Sequence, residues 1–122
     1  MRVLLFLALI YPAMASALTG NELLSDCSED MGSRGISSCL SYLEAVTDAH
    51  KTFVGWEMLK EPSQCIPGRV TLGQAQAVVI KALKEHPEDL HNSASSLVLN
   101  ALYDAFPPDV KFENGEPVYY CP

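Results

Sequence analysis

The sequence predicts an all-α protein: a small helical bundle of about four helices, held by disulfides, with a short extended or hairpin C-terminal tail. Three observations carry that expectation. Apolar residues recur at three- and four-residue steps over most of the chain. Two capping boxes, Thr19 with Glu22 and Thr71 with Gln74, mark helix starts. Four cysteines stand behind an N-terminus that looks like an export leader. The 122 residues suffice for one domain and are too few for two. With 48% hydrophobic and 19% charged residues, the chain can build a core. Its net charge of −7 repels phosphate backbones and argues against a nucleic-acid partner. A basic partner suits it better.

Residues 1–17 fit a signal peptide. Arg2 supplies the positive end, Val3 to Ile10 the apolar run, and Ala15-Ser16-Ala17 the small-residue cleavage site. The run is too short to span a bilayer, so no stable membrane insertion is expected. The helical domain would then occupy residues 18–122. A first helix begins at the Thr19 box and runs through Leu23 and Leu24 to Cys27. Gly32, Ser33 and Gly35 break the pattern. The second helix carries the stripe Ile36, Cys39, Leu40, Leu43, Val46, Ala49, Phe53 and Trp56, expected to face a core. Gly55 is a place for a kink, and Pro62 with Ser63-Gln64 ends the segment.

The third helix opens at the Thr71 box, and Leu72, Ala75, Val78, Val79 and Leu83 make its apolar face. Gly73 is expected to permit close helix packing. His86-Pro87 stops this helix, because the residue before proline is pushed out of the α region. Pro87, Glu88 and Asp89 suit the first turn of a fourth helix, by fixed φ and by favourable charge at the positive dipole end. Leu90, Ala94, Leu97, Val98, Ala101, Leu102, Ala105 and Phe106 form its buried face, and Pro107-Pro108 ends it. In the tail, Asn114-Gly115 is a favoured two-residue hairpin turn, although Pro117 weakens the second arm.

An even number of cysteines in a small exported chain reads as two disulfides. Cys27, Cys39, Cys65 and Cys121 allow three connectivities, and the spacing does not choose among them. Antiparallel packing of the third and fourth helices would bring Cys65 near the tail, which favours Cys65–Cys121 with Cys27–Cys39.

Signals for catalysis are missing from the sequence. Oxidised cysteines leave no thiolate. No G-x-S-x-G, no H-E-x-x-H and no glycine-rich phosphate loop occurs. His86 and His91 stand five apart across a proline, a spacing that does not share a helical face. The adjacent pairs Glu29-Asp30 and Glu88-Asp89 diverge rather than form an acid/base couple. Trp56, Tyr119 and Tyr120 read as core or interface anchors. No catalytic residue, metal site or cofactor is therefore expected.

One stretch of the chain resembles a known family. Cys65-Ile66-Pro67, Val70-Thr71-Leu72-Gly73-Gln74, His86-Pro87-Glu88-Asp89-Leu90-His91 and Ala101-Leu102-Tyr103-Asp104-Ala105-Phe106-Pro107 follow in order. This series resembles the Rap/Tai family of type VI secretion immunity proteins, with weaker similarity at Cys39, Tyr42 and Asp48-Ala49. The chain departs from it at Pro108, where the family usually has cysteine. Cys121 comes later, and a bridge through the tail would supply the same staple.

The resemblance implies a periplasmic antitoxin that is small, helical, disulfide-bonded and often dimeric. Such proteins bind peptidoglycan amidase effectors injected by neighbouring cells and cover their papain-like Cys–His groove, protecting the cell from self or sibling intoxication. Occlusion needs no chemistry by the inhibitor, in keeping with the missing catalytic signals. In those terms Glu85, His86, Glu88 and Asp89 form a rigid acidic corner suited to entering a cleft. The alternative is a periplasmic chaperone or stress-binding protein with no dedicated toxin partner. An unfamiliar hydrolase is a third reading, which would need a histidine base.

Overall fold

A computed structural model describes residues 16–59 and 64–122. The expected leader therefore lies outside the described residues except for Ser16 and Ala17, as do Pro62 and Ser63. Four helices follow in order: α1 (Gly20–Cys27), α2 (Arg34–Gly55), α3 (Leu72–Glu85) and α4 (Ala94–Ala105). A single 3-10 turn, Pro87–Asp89, joins α3 to α4. An antiparallel hairpin, β1 (Asp109–Glu113) and β2 (Glu116–Tyr120), closes the chain.

Both capping boxes form. Thr19 N donates to Glu22 Oε2 at 2.8 Å, and Glu22 N donates back to Thr19 Oγ1. Thr71 and Gln74 exchange the same pair of bonds at the start of α3. Ser33 caps α2 by accepting from Ile36 N, after Gly32 turns the chain at φ 89°. Each box satisfies amide donors that a helix start leaves unpaired, so these boundaries are set locally.

The core lies where all four helices meet. Leu23, Leu43, Val79, Val98 and Leu102 are fully enclosed, together with Cys39. Cys27–Cys39 staples α1 to α2 inside this core. Cys65–Cys121 ties the end of the hairpin to the segment ahead of α3, and Cys65 N donates to Phe106 O at 2.8 Å. This is the pairing that antiparallel packing favoured. In the hairpin, Asn114 and Gly115 both take positive φ, 53° and 85°, as a tight turn between twisted strands demands. Phe112 pairs with Pro117, and the strands pack chiefly on each other.

Several expectations require correction. The fourth helix does not begin at Pro87. Only a 3-10 turn forms there, and α4 starts at Ala94. The backbone between them is engaged elsewhere: Gly20 N donates to Asn92 O, Asn21 N to Leu90 O, and Ala94 N to Leu18 O. Those carbonyls are taken by a distant segment, so the local charge and proline signals do not set the boundary.

The stripe along α2 does not face the core throughout. Ile36, Cys39 and Leu43 are buried, but Ala49, Phe53 and Trp56 are exposed, because the 22-residue helix outruns its neighbours. Gly55 ends α2 rather than kinking it, and Glu57 follows at φ 57°. Ala105, expected on the buried face of the fourth helix, is exposed, as is Leu72 on the apolar face of α3. A Cβ at Gly73 would meet open space, so Gly73 mediates no close packing.

Candidate partner-binding site

The corner between α3 and α4 is built by proline and by hydrogen bonds. His86 caps α3 with its N–H on Ala82 O, and its φ and ψ of −124° and 62° leave the helical region ahead of Pro87. Asp89 N then donates to His86 O at 3.1 Å and Asn92 N to Asp89 O at 2.9 Å. His91 Nδ1 lies 2.9 Å from Glu88 O. A carbonyl can only accept, so Nδ1 carries the proton in this bond.

Glu85, His86 and Glu88 project into solvent, and Asp89 is half-buried. His86 Nδ1 sits 3.4 Å from Glu88 Oε1. The Glu88 carboxyl is held below the usual glutamate range, first by its own backbone N–H and then by the His86 ring. Glu88 therefore stays ionised into mild acid. Ligand atoms of His86, Glu88 and Asp89 lie within 4.8 Å of one another. The bond between His86 and Glu88 accounts for much of that proximity.

The far side of the corner is clamped by α1. Gly20 N donates to Asn92 O at 3.0 Å, and Asn21 offers both its backbone N and Nδ2 to Leu90 O. Gly20 lies so close that an added Cβ would overlap the Leu97 side chain and stand 3.0 Å from Leu90 O. Sequence reasoning missed Leu18, Gly20 and Asn21 in this role. No local signal marks them, because their partners lie some 70 residues away.

Behind the corner a groove of about 440 Å³ runs between α3 and α4. Ala82, Leu97 and Ala101 form its apolar part, while Glu85, Asp89, Asn100 and Asp104 supply polar groups. Glu85, His86 and Asp89 line it as well as the corner. Glu88 does not, although its hydrogen bond to His86 keeps it beside the opening. Asn100 and Asp104 were also missed. Their four-residue spacing on α4 was a usable signal, since it places both on one face.

The assembled groups can bind and orient a polar partner. All four cysteines are in disulfides, so no thiol is available as a nucleophile.

The Rap1a immunity proteins match the chain over residues 19–108. The chain belongs to the Rap1a immunity protein family. No curated protein and no solved structure matches it. The family match agrees with the resemblance drawn from the ordered blocks between Cys65 and Pro107. It starts at the cap of α1 and stops just before β1. The corner, its clamp and the groove all lie within it, whereas the hairpin lies beyond. Membership implies immunity against a secreted effector, exercised by binding it. Among the described residues, no helix of this Rap1a protein is long and apolar enough to cross a membrane.

Proposed function

We propose that this Rap1a protein acts in the periplasm, where it binds a type VI secreted peptidoglycan amidase and occludes the amidase's active-site groove. The observation that carries the reading is the corner itself. Glu85, His86 and Glu88 are exposed on a turn whose backbone is held by proline, by internal hydrogen bonds and by α1. A segment ordered before binding loses little conformational entropy when it enters a cleft. Two disulfides and a leader-like N-terminus favour an oxidising, exported setting. The amidase needs an open groove to admit its peptide, so a rigid plug inhibits it without chemistry of its own.

Co-expression tests this directly. A periplasm-directed amidase encoded beside this chain is produced with and without it, and lysis is followed. The wild-type chain prevents lysis. The variant carrying Glu85→Lys, Glu88→Lys and Asp89→Lys fails to protect, while its circular dichroism spectrum stays helical. Full protection by that variant would take the corner out of the interface. Lysis undiminished by the wild-type chain would end the amidase reading. Suppressed aggregation of unrelated unfolded proteins would favour the chaperone alternative.

A further inference from the structure

We propose that the α3–α4 groove receives an arginine side chain carried on a projecting loop of the protein that the corner binds. The inference rests on the immunity reading for the source of that arginine, and on the groove alone for its chemistry.

At about 440 Å³ the groove falls in the size range of small-ligand pockets. Its two parts call for an occupant with two parts. Ala82, Leu97 and Ala101 offer an apolar surface, opened by the two small alanines. Glu85 and Asp89 at one end, with Asp104 on α4, supply three carboxylates, and Asn100 adds an amide. A wholly apolar occupant would strip water from those carboxylates at a cost in free energy. An anion would be repelled by them and by a chain of net charge −7. An apolar stem ending in a cation satisfies both parts.

One cation already lies there. Lys81 Nζ is 3.8 Å from Glu85 Oε1, with both side chains largely exposed. Such a pair contributes little and yields readily to a competitor. Arginine fits better than lysine because the acceptors are spread over two helices and the turn. A guanidinium presents five donors in a planar fork and is more weakly hydrated than an ammonium. The backbone bonds from Asp89 N to His86 O and from Asn92 N to Asp89 O hold the turn end of the groove in place before anything binds.

The test uses the ¹⁵N-labelled, disulfide-bonded chain and three probes: Nα-acetyl-argininamide, the lysine analogue, and the citrulline analogue of similar shape without charge. Titration with the arginine probe produces saturable amide shifts at Ala82, Asn100, Ala101 and Asp104, with the lysine probe weaker and the citrulline probe silent. Asp104→Asn weakens binding by roughly two- to fivefold and Lys81→Glu strengthens it by a similar factor, the scale of exposed charge pairs. Both residues are exposed, so neither change threatens folding.

Equal shifts from citrulline, no saturable response at Asn100 to Asp104, or binding indifferent to Asp104→Asn would overturn the proposal. Protection in the co-expression test without arginine binding would remove this inference and leave the immunity reading standing. Arginine binding without protection would uphold the groove chemistry and remove the reading that names the arginine's source.

Discussion

Gly20 shows how one residue serves two elements. It begins α1, and its missing side chain lets α1 press against Leu90 and Leu97. Gly20→Ala forces Leu97 or the turn to shift. The expected cost is about 1–3 kcal/mol in chemical denaturation, with faster amide exchange at Asn92 and Ala94. His50 makes a different point. Burial pushes its pKa below the ordinary histidine value. Unfolded His50 therefore takes up a proton at a higher pH than folded His50. Its contribution to stability is complete above the ordinary histidine pKa and is lost as pH falls through the lowered one. Thermal melts between pH 7 and 5 should fall more steeply for the wild type than for His50→Gln. Glu22 adds to this acid sensitivity at lower pH. The Thr19 backbone N–H, then its hydroxyl, holds the Glu22 carboxyl below the usual range. That contribution is present above the ordinary glutamate pKa and lost as pH falls through the lowered value.

At the scale of elements, boundaries set by local chemistry were legible and those set by contact were not. Thr71 with Gln74 opened α3, and His86-Pro87 closed it, because caps and prolines act on the nearest turn. The start of α4 was misread because distant backbone groups of α1 occupy the carbonyls of Leu90 and Asn92. The hairpin was legible at its turn, where Asn114 and Gly115 accept positive φ. Its attachment was legible only in part: antiparallel packing favoured Cys65–Cys121, but nothing local marked the bond from Cys65 N to Phe106 O. The strands pack chiefly on each other, so the hairpin depends on Cys65–Cys121 and on the bond from Cys65 N to Phe106 O. Replacing Cys65 and Cys121 with serine should free it. Hydrogen exchange should then quicken from Asp109 to Tyr120, while α1 and α2, stapled by Cys27–Cys39, keep their protection.

At the scale of the whole molecule, the core is a short stack and the second helix overshoots it. Leu23, Leu43, Val79, Val98 and Leu102 fill the centre. Phe53, Trp56 and Met58 lie beyond, with Trp56 68% and Met58 66% exposed. The Phe53 and Trp56 rings meet edge to face at 6.2 Å, forming an aromatic pair on the surface. A second copy of the chain would bury this aromatic pair, so the homodimer that the family resemblance implies is expected to form at this end of α2. Light scattering of the wild type should then give twice the chain mass. Trp56→Glu should return the mass to that of one chain without lowering the melting temperature by more than about 2 °C, since the side chain supports no core. A monomeric wild type at all concentrations would overturn that expectation.

Taken alone, the amino-acid sequence determined the all-α class, the caps of α1 and α3, the proline corner, the tight turn of the tail and the family resemblance. The helices, caps, corner and turn depend on residues within a few positions of one another, where spacing and backbone preference act directly, and the resemblance on the order of short blocks between Cys65 and Pro107. Tertiary structure alone decided that α2 leaves the core after Val46, that α4 waits until Ala94, and that Gly20 and Asn21 brace a corner some 70 residues away. It also brought Asn100 and Asp104 to the groove beside Glu85 and Asp89. Periodicity marks which face of a helix is apolar, but not how far its neighbours extend. A backbone carbonyl likewise carries no mark of which distant amide will reach it.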